Sequence, residues 1–453
     1  MAKPRRAVSA GRIARSVRPA TLAGRTFVRW MGTYASFGAR REAVREQFAL
    51  RTAEDVRRTM GEMKGAIMKF GQILSLMTGV MPDDMLEELA VLQADAPPMA
   101  YSLVEEVFDE QYGRSPQSVF RKFEKEPFAA ASIGQVHRAL LHDGTPVAVK
   151  VQYPGVREAI EHDLANVGMM ITLGAKLSQG LEAGPIVRDL KEGILGELDY
   201  LREAQWQQRF REKFEGHAFI YVPRVVHELT TSRVIVQEYV KGRPFSAALV
   251  MDQADRNRIG EIIFRYAFGS IYRHGLFNGD PHPGNYLLRD DGTVAFVDYG
   301  CVAEFSHETI AAFGRVLHAL FEGDREAWRR AIVENGILRA DAPFTTEELF
   351  DHMHWYWEPL LHDRLAFSPQ LASEMIRHNT QTTGQGGRIN EFCNVPEGQV
   401  FLTRINFGLA GVLANLRAEG PWRAIVREWV EEEPPSTELG LLSARTTRAG
   451  APV

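Results

Sequence analysis

The stretch Phe277-Asn278-Gly279-Asp280-Pro281-His282-Pro283-Gly284-Asn285 is followed, thirteen residues after Asn285, by Asp298-Tyr299-Gly300. Acid, amide and second acid in that order are what a nucleotide phosphotransfer site needs. Moving a γ-phosphoryl group is mostly positioning and charge neutralisation, so the protein must supply Mg²⁺ ligands and a group facing the acceptor. Asp298 ends the strand-like run Thr293-Val294-Ala295-Phe296-Val297. An isolated Asp-Pro-x-Pro-Gly turn is ordinary structure; the second acid at this spacing makes it a candidate phosphate site.

At 453 residues the chain can hold two lobes plus extensions. Apolar content of 45% and charged content of 25% fit a globular protein. The net charge of −5 is mild, but its distribution is uneven. Lys3, Arg5, Arg6, Arg12, Arg15, Arg18, Arg25 and Arg29 are basic, with no acid among residues 3–29. Two cysteines, Cys301 and Cys393, make no disulfide framework and suggest a reducing compartment. No run reaches the roughly 18 apolar residues of a membrane span, and the N-terminus lacks the apolar core of a secretory signal. The expected location is cytoplasmic, with peripheral attachment at the inner face of the membrane as an option left to the basic arm.

Residues 1–50 read as that arm, with Phe27, Trp30 and Tyr34 among the arginines. Residues 51–114 read as a helical extension: Met60, Met63, Ile67, Phe70, Leu74 and Met77 step by three and four, one stripe of a helix. Residues 115–240 change to short β-type runs at 119–123, 134–138, 146–152 and 233–239, with helical text over about 156–214. Residues 241–430 are dominated by helices, and residues 431–453, rich in Glu, Pro, Ser, Thr and Ala, read as a disordered tail.

Thr145-Pro146-Val147-Ala148-Val149-Lys150-Val151 is an apolar strand carrying one lysine. Such a lysine can simply snorkel to the surface. Downstream of a small-residue loop and upstream of an acid-bearing helix, it has the placement of a lysine that neutralises α/β-phosphate charge. The segment Gly196-Glu197-Leu198-Asp199-Tyr200 offers the partner, Glu197 first and Glu192 second; Glu197 and Asp199 point different ways on a helix and should serve different partners. The loop Ala129-Ala130-Ala131-Ser132 sits where a glycine-rich phosphate loop is expected, and alanines restrict the backbone that would close over phosphate. Asp280 and Asn285 stand five apart, as in the catalytic loop of protein kinases, and Asp298 takes the Asp-Phe-Gly position with Tyr299 for Phe.

Lys69-Phe70-Gly71-Gln72, the alanine loop, the strand ending at Lys150, Glu197-Leu198-Asp199 and the Asp280–Asn285 loop occur in one order. In these motifs the chain resembles the AarF/UbiB (ABC1, or ADCK) family of atypical protein-kinase-like proteins. The resemblance implies an α+β, bilobal kinase-like fold with a helical Lys-x-Gly-Gln extension and a helical C-terminal lobe. It implies ATP and Mg²⁺ as cofactors and a link to isoprenoid quinone or lipid metabolism. Lys150 would then orient phosphates with Glu197 as its partner, Asn285 and Asp298 would hold Mg²⁺, and Asp280 would act as base or orienting acid. Periodicity alone puts Lys69 and Gln72 on a solvated face; the resemblance lays them across the cleft, with Lys69 meeting an acid of the Glu197-Leu198-Asp199 motif. A lysine enclosed there requires an anion. Such a lid would obstruct a protein substrate and favour a small or lipid-like one, ATP hydrolysis, or no transfer at all.

The strand Val234-Ile235-Val236-Gln237-Glu238-Tyr239-Val240 is the candidate adenine hinge, with Glu238 and Val240 offering backbone groups. His282 has no companion ligands at zinc spacing and reads as structural. Tyr299 brings a hydroxyl that needs a partner. The basic arm is read as a solvated tail, an anionic-membrane contact or, last, a nucleic-acid contact, which is not expected without a binding module. The rival to an enzyme is a nucleotide-sensing pseudokinase scaffold for a lipid-pathway complex. A small-molecule kinase of the aminoglycoside-phosphotransferase type shares the acid loop, but the Lys69–Gln72 and Ala129–Ser132 segments tell against it.

Overall fold

A computed structural model describes residues 98–131, 133–158, 160, 195–379, 384–394 and 399–449. The basic arm, Lys69, Gln72, Ser132 and Glu192 lie outside the described residues.

The N-terminal lobe is built on strand β4 (Pro146–Gln152), which pairs antiparallel with β3 (Gly134–Leu140) on one side and β6 (Val234–Glu238) on the other. Two short segments, β1 (Lys122–Phe123) and β2 (Ala129–Ala131), share the outer edge of β3. Side chains alternate across a strand, and here the alternation decides function. Val147, Val149 and Val151 face a core made with Val104, Val107 and Phe108 of helix α1 (Tyr101–Tyr112). Ala148, Lys150 and Gln152 therefore point to the opposite face, toward the C-terminal lobe. Helix α1 belongs to this lobe by its packing, so the boundary expected at residue 114 falls before residue 101. The run expected as strand at 119–123 instead begins with a helical turn, Pro116–Val119, where proline at the first helical position presets the backbone.

Helix α2 (Tyr200–Phe214) links the lobes. Asp199 caps it by accepting from Leu201 N at 3.0 Å, and its buried stripe is Tyr200, Glu203, Ala204, Gln207, Phe210 and Phe214. Glu203 is the one charged residue on this buried stripe, and it faces Lys150.

The C-terminal lobe is organised by helix α3 (Gln253–His274), capped by Asp252 at its start and by Gly275 in the left-handed region (φ 66°) at its end. That turn delivers β8 (Leu276–Asn278), which pairs with β11 (Val302–Glu304) and leads into the acid loop. The second acid follows β10 (Val294–Phe296), the centre of a sheet ordered β5 (Ile220–Tyr221), β10, β9 (Tyr286–Leu288), β7 (Arg243–Pro244). Further helices cover this core, among them α4 (Gln399–Leu416) and α5 (Trp422–Val430). A methyl group added at Gly408 of α4 would lie 2.6 Å from Pro281 Cγ, so that helix buttresses the acid loop directly.

The tail expected to be disordered contains helix α6 (Glu438–Ala449), whose Leu439 and Ser443 are buried. Its anchor is a buried network: Arg265 of α3 forms two hydrogen bonds of 2.8 Å to Glu428 and one to Thr437, while Ser436 donates to Glu428. Composition hid this helix because its attachment is polar rather than apolar. Deleting residues 438–453 should destabilise the protein by about 2 kcal/mol, the worth of one buried leucine side chain. A calorimetric melt checks this; an unchanged transition refutes it. Among the described residues no helix is long and apolar enough to cross a membrane.

Candidate nucleotide and metal site

Lys150 is 8% exposed, and its ammonium lies 2.9 and 3.0 Å from the two carboxylate oxygens of Glu203 and 3.1 Å from Asp298 Oδ2. The partner expected at Glu197 or Glu192 is thus Glu203. The reason is helix phase: Asp199 caps α2, so Glu197 precedes the helix, whereas Glu203 occupies its buried face. Glu197 is nonetheless buried in the same cleft. A methyl group added at Gly300 would lie 3.3 Å from Asp298 Oδ1, 3.5 Å from Glu197 Cγ and 3.7 Å from Glu203 Oε2. Asp199, expected to face Lys69, is the helix cap, and Lys69 itself lies outside the described residues.

One ammonium faces two carboxylates here. Burial works against the Lys150 charge, but Asp298 and Glu203 outweigh it and hold the lysine well above its ordinary range. Burial pushes Glu203 up to about 7, with Lys150 opposing and the Asp298 charge adding to the rise.

The two acid loops are sewn together. Asn278 Nδ2 donates to Asp298 O at 2.9 Å and to Tyr266 Oη at 3.2 Å, Gly279 N donates to Cys301 O, and Val297 N donates to Asn285 O. His282 caps the short turn Pro283–Asn285 by accepting from Gly284 N, the structural role expected of it. Asn285 Nδ2 donates to Asp280 O and to Asp280 Oδ2 at 3.0 Å. The amide nitrogen is thereby committed to Asp280, which leaves Oδ1 as the atom Asn285 could offer to a cation. Asp298 Oδ1 accepts from Gly300 N at 3.0 Å. An amide oxygen and a carboxylate beside a further carboxylate make an all-oxygen, anionic donor set, the chemistry that suits a hard cation such as Mg²⁺. Tyr299 is fully buried, and its hydroxyl donates to Phe296 O at 3.1 Å, so the replacement of Phe finds its partner.

Ala129, Ala130 and Ala131 form the outer strand of a tight antiparallel pair with β3. Gly134 closes it: a Cβ there would lie 2.3 Å from Val151 O, a backbone atom that cannot yield. At the hinge, the Glu238 side chain is spent on Tyr221 Oη and Arg224 N, and its backbone N–H donates to Arg224 O. Gln237, not singled out from sequence, accepts from Gln207 of α2 at 2.7 Å and so ties the hinge strand to the helix that carries Glu203. The buried stripe of α2 was the sequence signal for both Glu203 and Gln207.

This is a kinase-like fold, and residues 91–332 match the ABC1 atypical kinase-like domain. The chain belongs to the ABC1 atypical kinase-like family. It is 33% identical over 303 residues to the atypical kinase COQ8B, mitochondrial, of Rattus norvegicus, covering 66% of this chain and 56% of that protein. It is 31% identical over 306 residues to a probable protein kinase UbiB of Pseudomonas aeruginosa, covering 66% and 57%. The chain spans about half the length of the curated relatives it matches. Among solved structures, the complex of Rv3197 with erythromycin from Mycobacterium tuberculosis aligns with a TM-score of 0.62 at 29% identity, over 86% of this chain and 98% of that one.

Proposed function

We propose that this atypical kinase binds ATP with Mg²⁺ and acts as a phosphotransferase or ATPase of the UbiB type, in support of isoprenoid quinone or lipid metabolism. The observation that carries the reading is the meeting of Lys150, Glu203 and Asp298 within 3.1 Å, beside the Asn285–Asp280 pair. In this arrangement Lys150 orients phosphate oxygens, and Asn285 and Asp298 hold the metal. Mg²⁺ supplies neutralisation of the charge spread over the transferred group. Asp280, fixed by Asn285, faces the acceptor. Its acceptor is a small or lipid-like molecule, the substrate class that the Lys-x-Gly-Gln resemblance implies. The basic arm at Lys3–Arg29 is an anionic-membrane contact.

ADP release by the purified full chain tests this, with and without anionic liposomes and a quinone-precursor mimic. Turnover stimulated by either addition is the expected result. Normal nucleotide binding with no turnover under any condition would replace the enzyme with a nucleotide-sensing scaffold.

A further inference from the structure

Tyr200 is fully buried, and its hydroxyl has no hydrogen-bond partner among the described residues. A buried hydroxyl left unpaired is costly. The position of this one is specific. The Tyr200 ring lies under the Lys150 ammonium, 5.1 Å from Nζ to the ring centre. The residue stands three before Glu203 on α2, so both side chains share the helix face that meets Lys150. Its Oη lies against Gly134, the first residue of β3: a Cβ built there would be 2.9 Å away. A phenylalanine would keep the ring under the ammonium and remove the cost of the hydroxyl. Packing therefore does not explain the oxygen.

We propose that the Tyr200 hydroxyl is a phosphate-binding group, which donates a hydrogen bond to a phosphate oxygen of a nucleoside di- or triphosphate held between Lys150 and Gly134 of β3. The proposal rests on the nucleotide reading above and adds one residue to it. Burial holds the phenol above its ordinary range, so it stays protonated and is a donor across the physiological range. The hydroxyl lies against Gly134 of β3, whose edge strand β2 exposes Ala129 and Ala130. In the free protein the hydroxyl waits unpaired; in the complex it gains a charged acceptor.

The test is titration of the full chain with Mg-ATP, Mg-ADP and adenosine, by calorimetry, for the wild type, Tyr200→Phe and Tyr153→Phe. Tyr153 is the control because its hydroxyl is also buried without a partner among the described residues, while burial alone perturbs it. Tyr200→Phe should weaken Mg-ATP and Mg-ADP about tenfold or more, the worth of a hydrogen bond to a charged group. Adenosine affinity should be unchanged, and the melting temperature of the free protein should not fall. ATP affinity within twofold of wild type, an equal loss for adenosine, or an equal loss in Tyr153→Phe would overturn the role of Tyr200 and leave the nucleotide site standing. A wild type that binds neither ATP nor adenosine would instead remove the nucleotide reading, and this proposal with it.

Discussion

Asp298→Asn should reduce ADP release by about 10²–10³-fold, the scale of removing one preorganised electrostatic group from a phosphoryl-transfer site. The substitution is nearly isosteric, and its oxygen can still accept from Gly300 N, so the turn after the acid is kept. What is lost is the charge at Oδ2, which lies 3.1 Å from Lys150 and which, in the proposed site, would also hold the metal. Without it an amide nitrogen is presented to an ammonium, and the cation loses its carboxylate. Two readouts separate these effects. The apparent Mg²⁺ requirement for turnover should rise steeply, while metal-free nucleotide affinity should hold or improve, because one negative charge facing the phosphates is gone. Turnover equal to wild type would reject Asp298 as a metal ligand. Loss of the folded transition would show that the residue is needed for the fold instead.

The acid loop, the Lys150 strand and the hinge were legible in the sequence because each is local: a turn of fixed spacing, or an apolar run bounded by Gly and Pro. Both faces of β4 are buried, so its text is nearly continuous in Val and Ala and points to a central strand. The partner of Lys150 was not legible in the same way. Its choice depends on where α2 begins, and the start is fixed by Asp199, which is an acid of the same motif used as a cap. With the cap placed, the stripe Tyr200–Glu203–Gln207–Phe210 selects Glu203 by its period. The tail helix at Glu438–Ala449 failed to show for another reason. It is fastened by the Arg265–Glu428–Thr437 network, and a charged pair between residues 163 positions apart leaves no local pattern. The polar contacts that assemble the site follow the same rule: Asn278 to Asp298 and Gln207 to Gln237 join elements distant in the chain and read alone as unremarkable amides.

Glu203→Gln should separate stability from activity. Glu203 is 2% exposed, and in the folded protein its carboxyl is raised from the ordinary value to about 7. Between about pH 4.5 and 7 the folded state therefore binds more protons than the unfolded chain. Stability contributed by this group is full below the unfolded value and is lost as pH rises through the folded one, so unfolding free energy falls with rising pH. The loss over that window can reach about 3 kcal/mol. The physical cause is first the burial of the Glu203 carboxyl, which outweighs the Lys150 ammonium beside it, and then the charge of the half-buried Asp298, which adds to the rise. A glutamine resembles the protonated acid in shape and cannot ionise, so the pH slope of the melting temperature should flatten, and the variant should match or exceed wild-type stability above pH 7. Activity should move the other way. Lys150 would swing toward Asp298, its remaining carboxylate, and a displacement of about 1 Å in a positioned group can cost on the order of 10²-fold in turnover. Glu197→Gln is the matched control: it lies before the helix and makes neither of the two carboxylate contacts to Lys150, so the pH slope of stability should persist. Melting curves from pH 4.5 to 8 together with ADP release for both variants decide the matter. A pH slope unchanged in Glu203→Gln, or one abolished by Glu197→Gln, would show that the charge balance of this cleft is set by another group.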